Sequence, residues 1–319
     1  MAKTFNFKKI LGPVILAVGA LIWGISFVAQ SEGGAVGSYT FQGTRNTLAF
    51  LTVGLVTLIR DLAQRKKKPR ARYGSGKAFF SAHKTALLAG LLCGIAYTIA
   101  ATVQQLGIDI MGTDVSAGRA GFLTALYIVL VPVLGIFLKK KITLKAWCSV
   151  AVAVVGLYLI SVKPGTGFKI SFADVLLIIC ALFFAIQILL IDSFSQKVDG
   201  LHLSCMEFFF ASVVTVLMMF AFENPDIEVI KANWLMIAYS GVLSGGVAYT
   251  FQILGQQMTP PVLASLIMSL ESVFSALSDW LIRGNTLNAR ELSGCVIMFA
   301  AITIAQLPEF KRKKQQNAA

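Results

Sequence analysis

The amino-acid sequence predicts an all-α polytopic membrane protein with ten transmembrane helices, arranged as two inverted five-helix repeats. Three observations predict this class: the composition, the number of long apolar segments, and a similarity between the two halves of the chain. Of the 319 residues, 56% are hydrophobic and 13% are charged, whereas soluble domains contain about 25% charged residues. A mean hydropathy of +0.76 excludes a soluble fold, because such a chain would expose large apolar patches to water.

Ten apolar segments are long enough to cross a bilayer, since a helix needs about 20 mostly apolar residues to span a hydrocarbon core of about 30 Å. Exposed strands would leave backbone groups unpaired in lipid, and the segments lack the two-residue alternation of an outer-membrane barrel. The first segment is too long for the apolar core of a signal peptide. The predicted spans are 10–30, 41–60, 85–106, 118–138, 142–162, 172–192, 201–222, 234–256, 262–282 and 288–307.

The distribution of positive charge predicts that both termini are cytoplasmic. With the N-terminus inside, 21 of the 28 Lys and Arg residues fall in cytoplasmic segments and five on the opposite side, as the positive-inside rule requires. The densest cluster is the run 65–70 between spans two and three. A nucleic-acid or anionic-lipid patch is the alternative explanation, but a topology signal beside the membrane is the usual one. Nucleic acid is therefore not an expected partner.

A similarity over a long period indicates an internal repeat. Ala-Tyr-Thr at 96–98 followed by Gln-Gln at 104–105 recurs as Ala-Tyr-Thr at 248–250 followed by Gln-Gln at 256–257. Because each repeat holds five spans, an odd number, the second copy inserts upside down. The predicted organisation is a first repeat at 1–165, a second repeat at 166–310, and a basic cytoplasmic tail at 311–319.

Two GxxxG pairs lie in repeat-related spans: Gly90 with Gly94, and Gly241 with Gly245. Such pairs let helix backbones approach closely. Packing inside the bundle is the favoured interpretation. A lipid-facing dimer interface is the alternative, and a homodimer therefore remains an option.

Two apolar segments carry a family resemblance: Leu-Ile-Trp-Gly-Ile-Ser-Phe at 21–27 and Ala-Ser-Leu-Ile-Met-Ser-Leu-Glu-Ser-Val-Phe at 264–274. With ten spans in two halves, the chain resembles the EamA type of the drug/metabolite transporter superfamily over nearly its whole length. The resemblance implies a bacterial inner-membrane exporter of small metabolites, often amino acids or drug-like amphiphiles, with a central cavity between the halves. We predict a secondary transporter that works by alternating access, with a small solute, the bilayer and protons as partners. Neither a cofactor nor a metal is expected.

Glu271 is the strongest candidate for a functional residue. A charge at the centre of a span costs about 2.5–3.5 kcal/mol on insertion scales, and Glu271 lies near the middle of span nine on one face with Met268 and Ser275. Burial disfavours the charged carboxylate, and no Lys or Arg is expected at that depth, so a proton competes for the group at physiological pH. The prediction is a coupling or solute-contacting residue; a hydrogen-bonded strut is the alternative.

Aromatic and polar side chains at helical spacing complete the predicted site, because they suit an amphiphilic solute. The alternative is that the rings merely fill the bundle. The predicted substrate-cavity and coupling residues are Glu271, Trp23, Ser26, Tyr97, Thr124, Tyr127, Gln187, Tyr249, Gln252 and Ser275.

Three other charged residues within spans receive different predictions. Arg45 is expected near the outer face and Glu207 near the inner face, each snorkelling or capping locally. Arg119 is expected to anchor the start of span four, with attraction of an anionic solute as the alternative.

Other functional classes fit the sequence less well. An intramembrane enzyme is disfavoured because no HExxH, paired aspartates or Ser-His arrangement appears, and no catalytic residue is predicted. A nucleotide-sugar or phosphate-ester antiporter would need several cavity Lys or Arg residues. A facilitative uniporter or a channel is a further alternative, and saturable exchange of solute would exclude the channel.

Overall fold

A computed structural model describes residues 8–67, 76–112, 117–161 and 170–307. The described chain is helical and contains no strand. The predicted basic tail at 311–319, and the basic run from residue 68 onward, lie outside the described residues.

The helices, numbered in chain order, are α1 Lys8–Glu32, α2 Ser38–Lys67, α3 Gly76–Met111, α4 Ala117–Ala125, α5 Tyr127–Phe137, α6 Leu144–Ser161, α7 Phe172–Phe194, α8 Gly200–Phe222, α9 Ile227–Ala232, α10 Trp234–Ala238, α11 Tyr249–Gln256, α12 Pro261–Met268, α13 Leu270–Arg283 and α14 Ala289–Gln306. A short 3₁₀ turn, Gly33–Val36, follows α1. A π-helical stretch, Tyr239–Ala248, joins α10 to α11.

Within the described residues, ten helical segments are long and apolar enough to cross a membrane, which confirms the predicted number of spans. They are Ile10–Glu32, Ser38–Gln64, Lys84–Met111, Arg119–Phe137, Leu144–Ser161, Phe172–Phe194, Gly200–Phe222, Trp234–Gln256, Pro261–Arg283 and Ala289–Gln306. Predicted and observed bounds differ by at most five residues, at the end of span three. That helix continues because Gln105 Nε2 donates to Asp109 Oδ1 within it, at 2.9 Å.

Three spans are interrupted near their centres. Span four breaks at Leu126, where Val129 N donates to Leu126 O at 3.0 Å, and span nine breaks at Ser269, where Ser272 N donates to Ser269 O at 3.1 Å. These three-residue spacings tighten the helix locally. Span eight instead widens into the π-helix, a form that occurs mostly as short stretches, often at functional sites.

The two GxxxG pairs pack inside the bundle, as the favoured interpretation predicted. A Cβ at Gly90 would lie 2.3 Å from Met206 Cβ in span seven, and a Cβ at Gly241 would lie 2.7 Å from Leu48 Cβ in span two. Glycine is required where backbones approach this closely. Span three thus packs on span seven, and span eight on span two.

The main helix pairs are related to one another by a shift of five spans. Span one packs on span nine, and the equivalent spans of the other halves, six and four, also pack on each other. Spans two and seven, which are equivalent, pack on each other, and so do spans five and ten. This pairing is compatible with two repeats of five spans, and the inversion of the second repeat stays a prediction.

Arg119 and Asp174 join the starts of spans four and six. Arg119 Nε donates to Asp174 Oδ1 at 2.8 Å and Nη2 donates to Oδ2 at 2.6 Å, a two-bond geometry that fixes the carboxylate. Asp174 also forms a capping box with Ser171 at the start of α7. The position matches the anchoring role predicted for Arg119.

An ionic cluster joins the end of span two to the start of span seven. Arg60 Nη2 donates to Asp199 Oδ1 at 2.8 Å, and His202 Nε2 lies 2.9 Å from Asp61 Oδ2. Partial burial alone would raise the pKa of Asp199, but its hydrogen bonds with His202 and Arg60 outweigh burial and hold that pKa well below its ordinary value. Asp199 is also the N-cap of α8.

Candidate functional site

A cavity lies between spans of both halves of the chain. Its described lining comes from spans one to four in the first half and from spans six, eight and nine in the second. The space left for the centres of water molecules is about 30 Å³. The cavity therefore holds a few water molecules, and a larger solute requires the surrounding helices to move apart.

Helical spacing places several side chains of one span on the same side of the cavity. Span one contributes Trp23, Ser26, Phe27 and Gln30, at positions i, i+3, i+4 and i+7, which share one face of a helix. Span six contributes Phe184, Gln187 and Ile188 with the same spacing, and span nine contributes Met268 and Glu271.

An aromatic wall centres on Tyr249. Its ring centroid is 4.8 Å from that of Trp23 and 6.5 Å from that of Phe184. Tyr97 packs edge-on from behind at 4.8 Å. Rings in these arrangements attract one another through their quadrupoles, so the wall is a rigid apolar surface.

Trp23 ties this wall to the π-helix of span eight. Its indole Nε1 donates to the backbone oxygen of Ser244 at 3.3 Å, inside the stretch Tyr239–Ala248. The wider helix therefore presents Ser244 to the cavity, where its hydroxyl oxygen accepts a second bond, from Arg45 Nη2 at 3.2 Å.

Arg45 lines the cavity, which corrects the prediction that it snorkels to the outer face. The residue is 2% exposed, and its Nη1 donates to Gln30 Oε1 at 3.2 Å. The helix begins at Ser38, so Arg45 lies two turns inside it, and the face of span two that carries Arg45 packs against other helices of the bundle. Arg45 and Glu271 line the same cavity, so a cation is present in the site, although no described ion pair joins the two residues.

Glu271 and Tyr127 reach the cavity from spans nine and four. Glu271 Oε1 and the Tyr127 hydroxyl are both buried, and the two side chains lie close enough to interact with each other. The described residues provide no further hydrogen-bond partner for either oxygen atom. Because most buried polar atoms in proteins have partners, this carboxyl–hydroxyl pair at the cavity is a place where water, a proton or a solute can bind.

A chain of polar side chains leads away from the cavity to Glu207. Gln252 Nε2 donates to Gln187 Oε1 at 3.3 Å, and Gln187 Nε2 donates to Glu207 Oε1 at 2.5 Å. Glu207 is fully buried, which corrects the prediction that it snorkels near the inner face. The error has the same origin as for Arg45: span seven faces other helices at this position, so there is no route to water.

Seven of the ten predicted site residues line the cavity: Glu271, Trp23, Ser26, Tyr127, Gln187, Tyr249 and Gln252. The other three lie one layer behind it. Tyr97 packs behind Tyr249, and its hydroxyl donates to Asn46. Thr124 accepts from Gln104, which does line the cavity. Ser275 lies where span nine approaches Gly24 of span one.

Eight lining residues were not among the predicted site residues: Phe27, Gln30, Arg45, Gln104, Phe184, Ile188, Ser244 and Met268. A signal for Arg45 is present in the sequence: Gln42, Arg45, Asn46 and Ala49 share one helical face, and all four are buried. A polar stripe of this kind in an apolar span indicates a face turned toward the bundle interior. Ser244 has no comparable signal, because its position depends on the π-helix.

Comparisons with known proteins agree with this architecture. The model of the EamA-like transporter family matches residues 10–162 and 171–306. A protein of Archaeoglobus fulgidus named "uncharacterized transporter" is 29% identical over 220 residues, which are 68% of this chain and 68% of that protein. A solved structure named "Crystal structure of protein" has a TM-score of 0.72, covering 92% of this chain and 96% of its own, but at 14% identity it shows the fold alone. With two family matches that together span most of its length, the chain belongs to the EamA-like transporter family and is a multi-pass membrane transporter.

Proposed function

We propose that the protein is a proton-coupled secondary transporter that exports small metabolites of amino-acid-like or amphiphilic character by alternating access. In this proposal it lies in a bacterial inner membrane with both termini in the cytoplasm, and its two halves are the inverted repeats 1–165 and 166–310. The observation that carries the proposal is the cavity between the halves, with an aromatic wall on one side and the buried carboxyl group of Glu271 on another.

The size of the cavity supports alternating access. Trp23, Tyr249 and Glu271 are each less than 10% exposed, and the space beside them is small, about 30 Å³ for the centres of water molecules. Binding a solute therefore needs a second conformation, in which helices of the two halves separate. Inverted repeats supply such a pair of conformations, one open to each side of the membrane.

The position of Glu271 supports coupling to protons. Its carboxyl group is 5% exposed, and the described residues provide no ion-pair partner for it. A buried unpaired carboxylate is costly, so a proton binds when the cavity is closed and leaves when the cavity opens to water. Protonation then biases the conformational equilibrium.

The composition of the cavity favours a solute of low charge over a phosphate ester. A phosphate ester carries up to two negative charges and is usually held by several Lys or Arg residues. Arg45 is the one cation among the described residues that line the cavity.

Counterflow in proteoliposomes tests this function. Purified protein is reconstituted and assayed with a panel of radiolabelled amino acids and amphiphilic amines, with and without an imposed pH gradient. Wild type should exchange at least one solute saturably and accumulate it against its gradient when the pH gradient is set. Glu271→Gln keeps the shape and hydrogen bonding of the side chain but cannot ionise, so it should exchange solute and fail to accumulate it.

A matched control separates coupling from general loss of charge. Glu228 lies on α9 between spans seven and eight and pairs with Lys231 at the surface, so Glu228→Gln should accumulate solute like wild type. Uphill transport by Glu271→Gln at the wild-type level would refute the coupling role. Non-saturable flux through wild type would favour a channel instead.

A further inference from the structure

Arg45 is a buried cation without a counterion among the residues that the structure describes. Its partners are neutral: Nη1 donates to the amide oxygen of Gln30 and Nη2 to the hydroxyl of Ser244, each at 3.2 Å. No carboxylate lies within ion-pair distance among the described residues, and its Nε is buried with no hydrogen-bond partner. A buried charge is normally paired, because leaving it unpaired in a low-dielectric site is costly.

The two neutral partners hold the guanidinium in the cavity lining without neutralising it. Gln30 is itself fixed, because its Nε2 donates to the backbone oxygen of Ser26 at 3.2 Å. Ser244 is fixed by the π-helix and by its backbone bond from Trp23. Gln30, Ser244 and Arg45 all line the cavity, so a group that enters it meets a positioned cation with an unused N–H.

We propose that Arg45 binds a carboxylate group of the transported solute. This proposal rests on the proposed function, to which it adds the chemical class of one end of the solute. A guanidinium presents N–H groups in a planar fork that matches a carboxylate, and a single negative charge on the solute neutralises the single cation of the described lining. The apolar remainder of the solute then packs on Trp23 and Tyr249, which border the same space.

Glu271, the other ionisable residue of the cavity discussed above, does not compete with the solute for Arg45. Glu271 is not paired with Arg45 by any described contact, so the solute carboxylate need not displace a resident counterion. The solute instead supplies a counterion that the described lining lacks, and binding removes the cost of the unpaired charge. A structural arginine would already have its partner, as Arg119 has in Asp174.

The test measures ligand binding to the purified full-length protein in detergent, independently of transport. The probes are acetate, 3-phenylpropionate and L-phenylalanine, each with its amide, and 2-phenylethyl phosphate. Thermal unfolding midpoints are recorded against probe concentration, since a ligand that binds the folded state stabilises it by mass action. The variants are Arg45→Gln and, as control, Arg290→Gln. The Arg290 guanidinium lies over the ring of Tyr158 in span five, and neither residue is among the described cavity lining.

At least one carboxylate should stabilise wild type and Arg290→Gln, while its amide and the phosphate ester should not. Arg45→Gln should bind that carboxylate about tenfold more weakly or worse, as expected for loss of a charged hydrogen-bond donor. Without ligand, Arg45→Gln should be at least as stable as wild type, because the substitution removes an unpaired buried charge.

Four results would overturn the proposal. Two concern the ligand: no carboxylate stabilises wild type, or the amide or the phosphate ester binds as well as the carboxylate. Two concern the variant: Arg45→Gln binds the carboxylate like wild type, or ligand-free Arg45→Gln is less stable than wild type, as expected if Arg45 were structural.

The proposed function fails separately. A chain that binds carboxylates through Arg45 but transports no solute in proteoliposomes refutes transport and keeps the assignment of Arg45. Transport of a neutral solute at equal rates by wild type and Arg45→Gln refutes only the role assigned to Arg45 and keeps the proposed transport function.

Discussion

Replacing Gly90 by alanine tests the close packing of span three on span seven. A Cβ at this position would lie 2.3 Å from Met206 Cβ and 2.9 Å from the Met206 carbonyl carbon. Carbon atoms in contact are normally about 3.5–4.0 Å apart. Because the second clash is with backbone, a side-chain rotation does not relieve it, and the two helices must separate by about 1 Å.

The expected net effect is destabilisation by about 1 kcal/mol. Overpacking of a tight interface costs about 1–3 kcal/mol, and alanine recovers about 0.5–1 kcal/mol relative to glycine inside a helix. The assay is the thermal unfolding midpoint in detergent, followed by size-exclusion chromatography of heated samples. Gly90→Ala should unfold at a lower temperature than wild type.

Gly54 provides the matched control in span two. The nearest atom to a Cβ there is Cys205 Sγ at 3.9 Å, an ordinary contact, so Gly54→Ala should be as stable as wild type or more stable. If Gly90→Ala and Gly54→Ala unfold at the same temperature, the close approach of spans three and seven does not exist as described.

Three further predictions concern the ends of the spans. Arg119→Gln should destabilise the protein by about 2 kcal/mol, because it leaves the buried Asp174 carboxylate without its charged donor. Arg119→Lys should recover part of this loss in the same unfolding assay. Equal stability of wild type, Arg119→Gln and Arg119→Lys would contradict the prediction. The pKa of Asp199 is lowered in the folded protein, so its stabilisation is complete above the unfolded pKa near 4 and is lost as pH falls through the lower folded value. Asp199→Asn should therefore unfold more easily than wild type at pH 7, and the difference in stability between the two proteins should narrow below about pH 4. A stability difference that grows as the pH falls would contradict this prediction. Ser75→Cys should not react with an impermeant maleimide added outside intact cells, because the distribution of positive charge predicts a cytoplasmic loop. Strong labelling there would refute the predicted topology.

The number and limits of the spans were predictable from sequence because hydropathy is a local property. A long apolar segment must be a buried or lipid-facing helix whatever surrounds it. The largest difference, at the end of span three, arose where Gln105 and Asp109 bond to each other and prolong the helix. That bond depends on side-chain geometry, which composition does not contain.

The cavity was predictable only in part. Polar groups such as Glu271 and Gln187 are conspicuous in apolar spans, and helical spacing gives the face on which they lie. Spacing does not give the distance to the neighbouring helix, which is why Tyr97 lies one layer behind Tyr249. The π-helix changes the rotation of span eight and brings Ser244 to the cavity, an effect that a regular helical period cannot predict.

Access to the cavity from both sides of the membrane is the most direct test of the central claim. Ser26 lines the cavity and is 1% exposed, so Ser26→Cys is introduced after replacement of the five native cysteines. A small membrane-impermeant thiol reagent is then added to right-side-out or inside-out vesicles. We predict slow labelling from each side, accelerated from one side and slowed from the other when the pH gradient is reversed. Labelling from one side only under every gradient, or none at all, would contradict alternating access through this cavity.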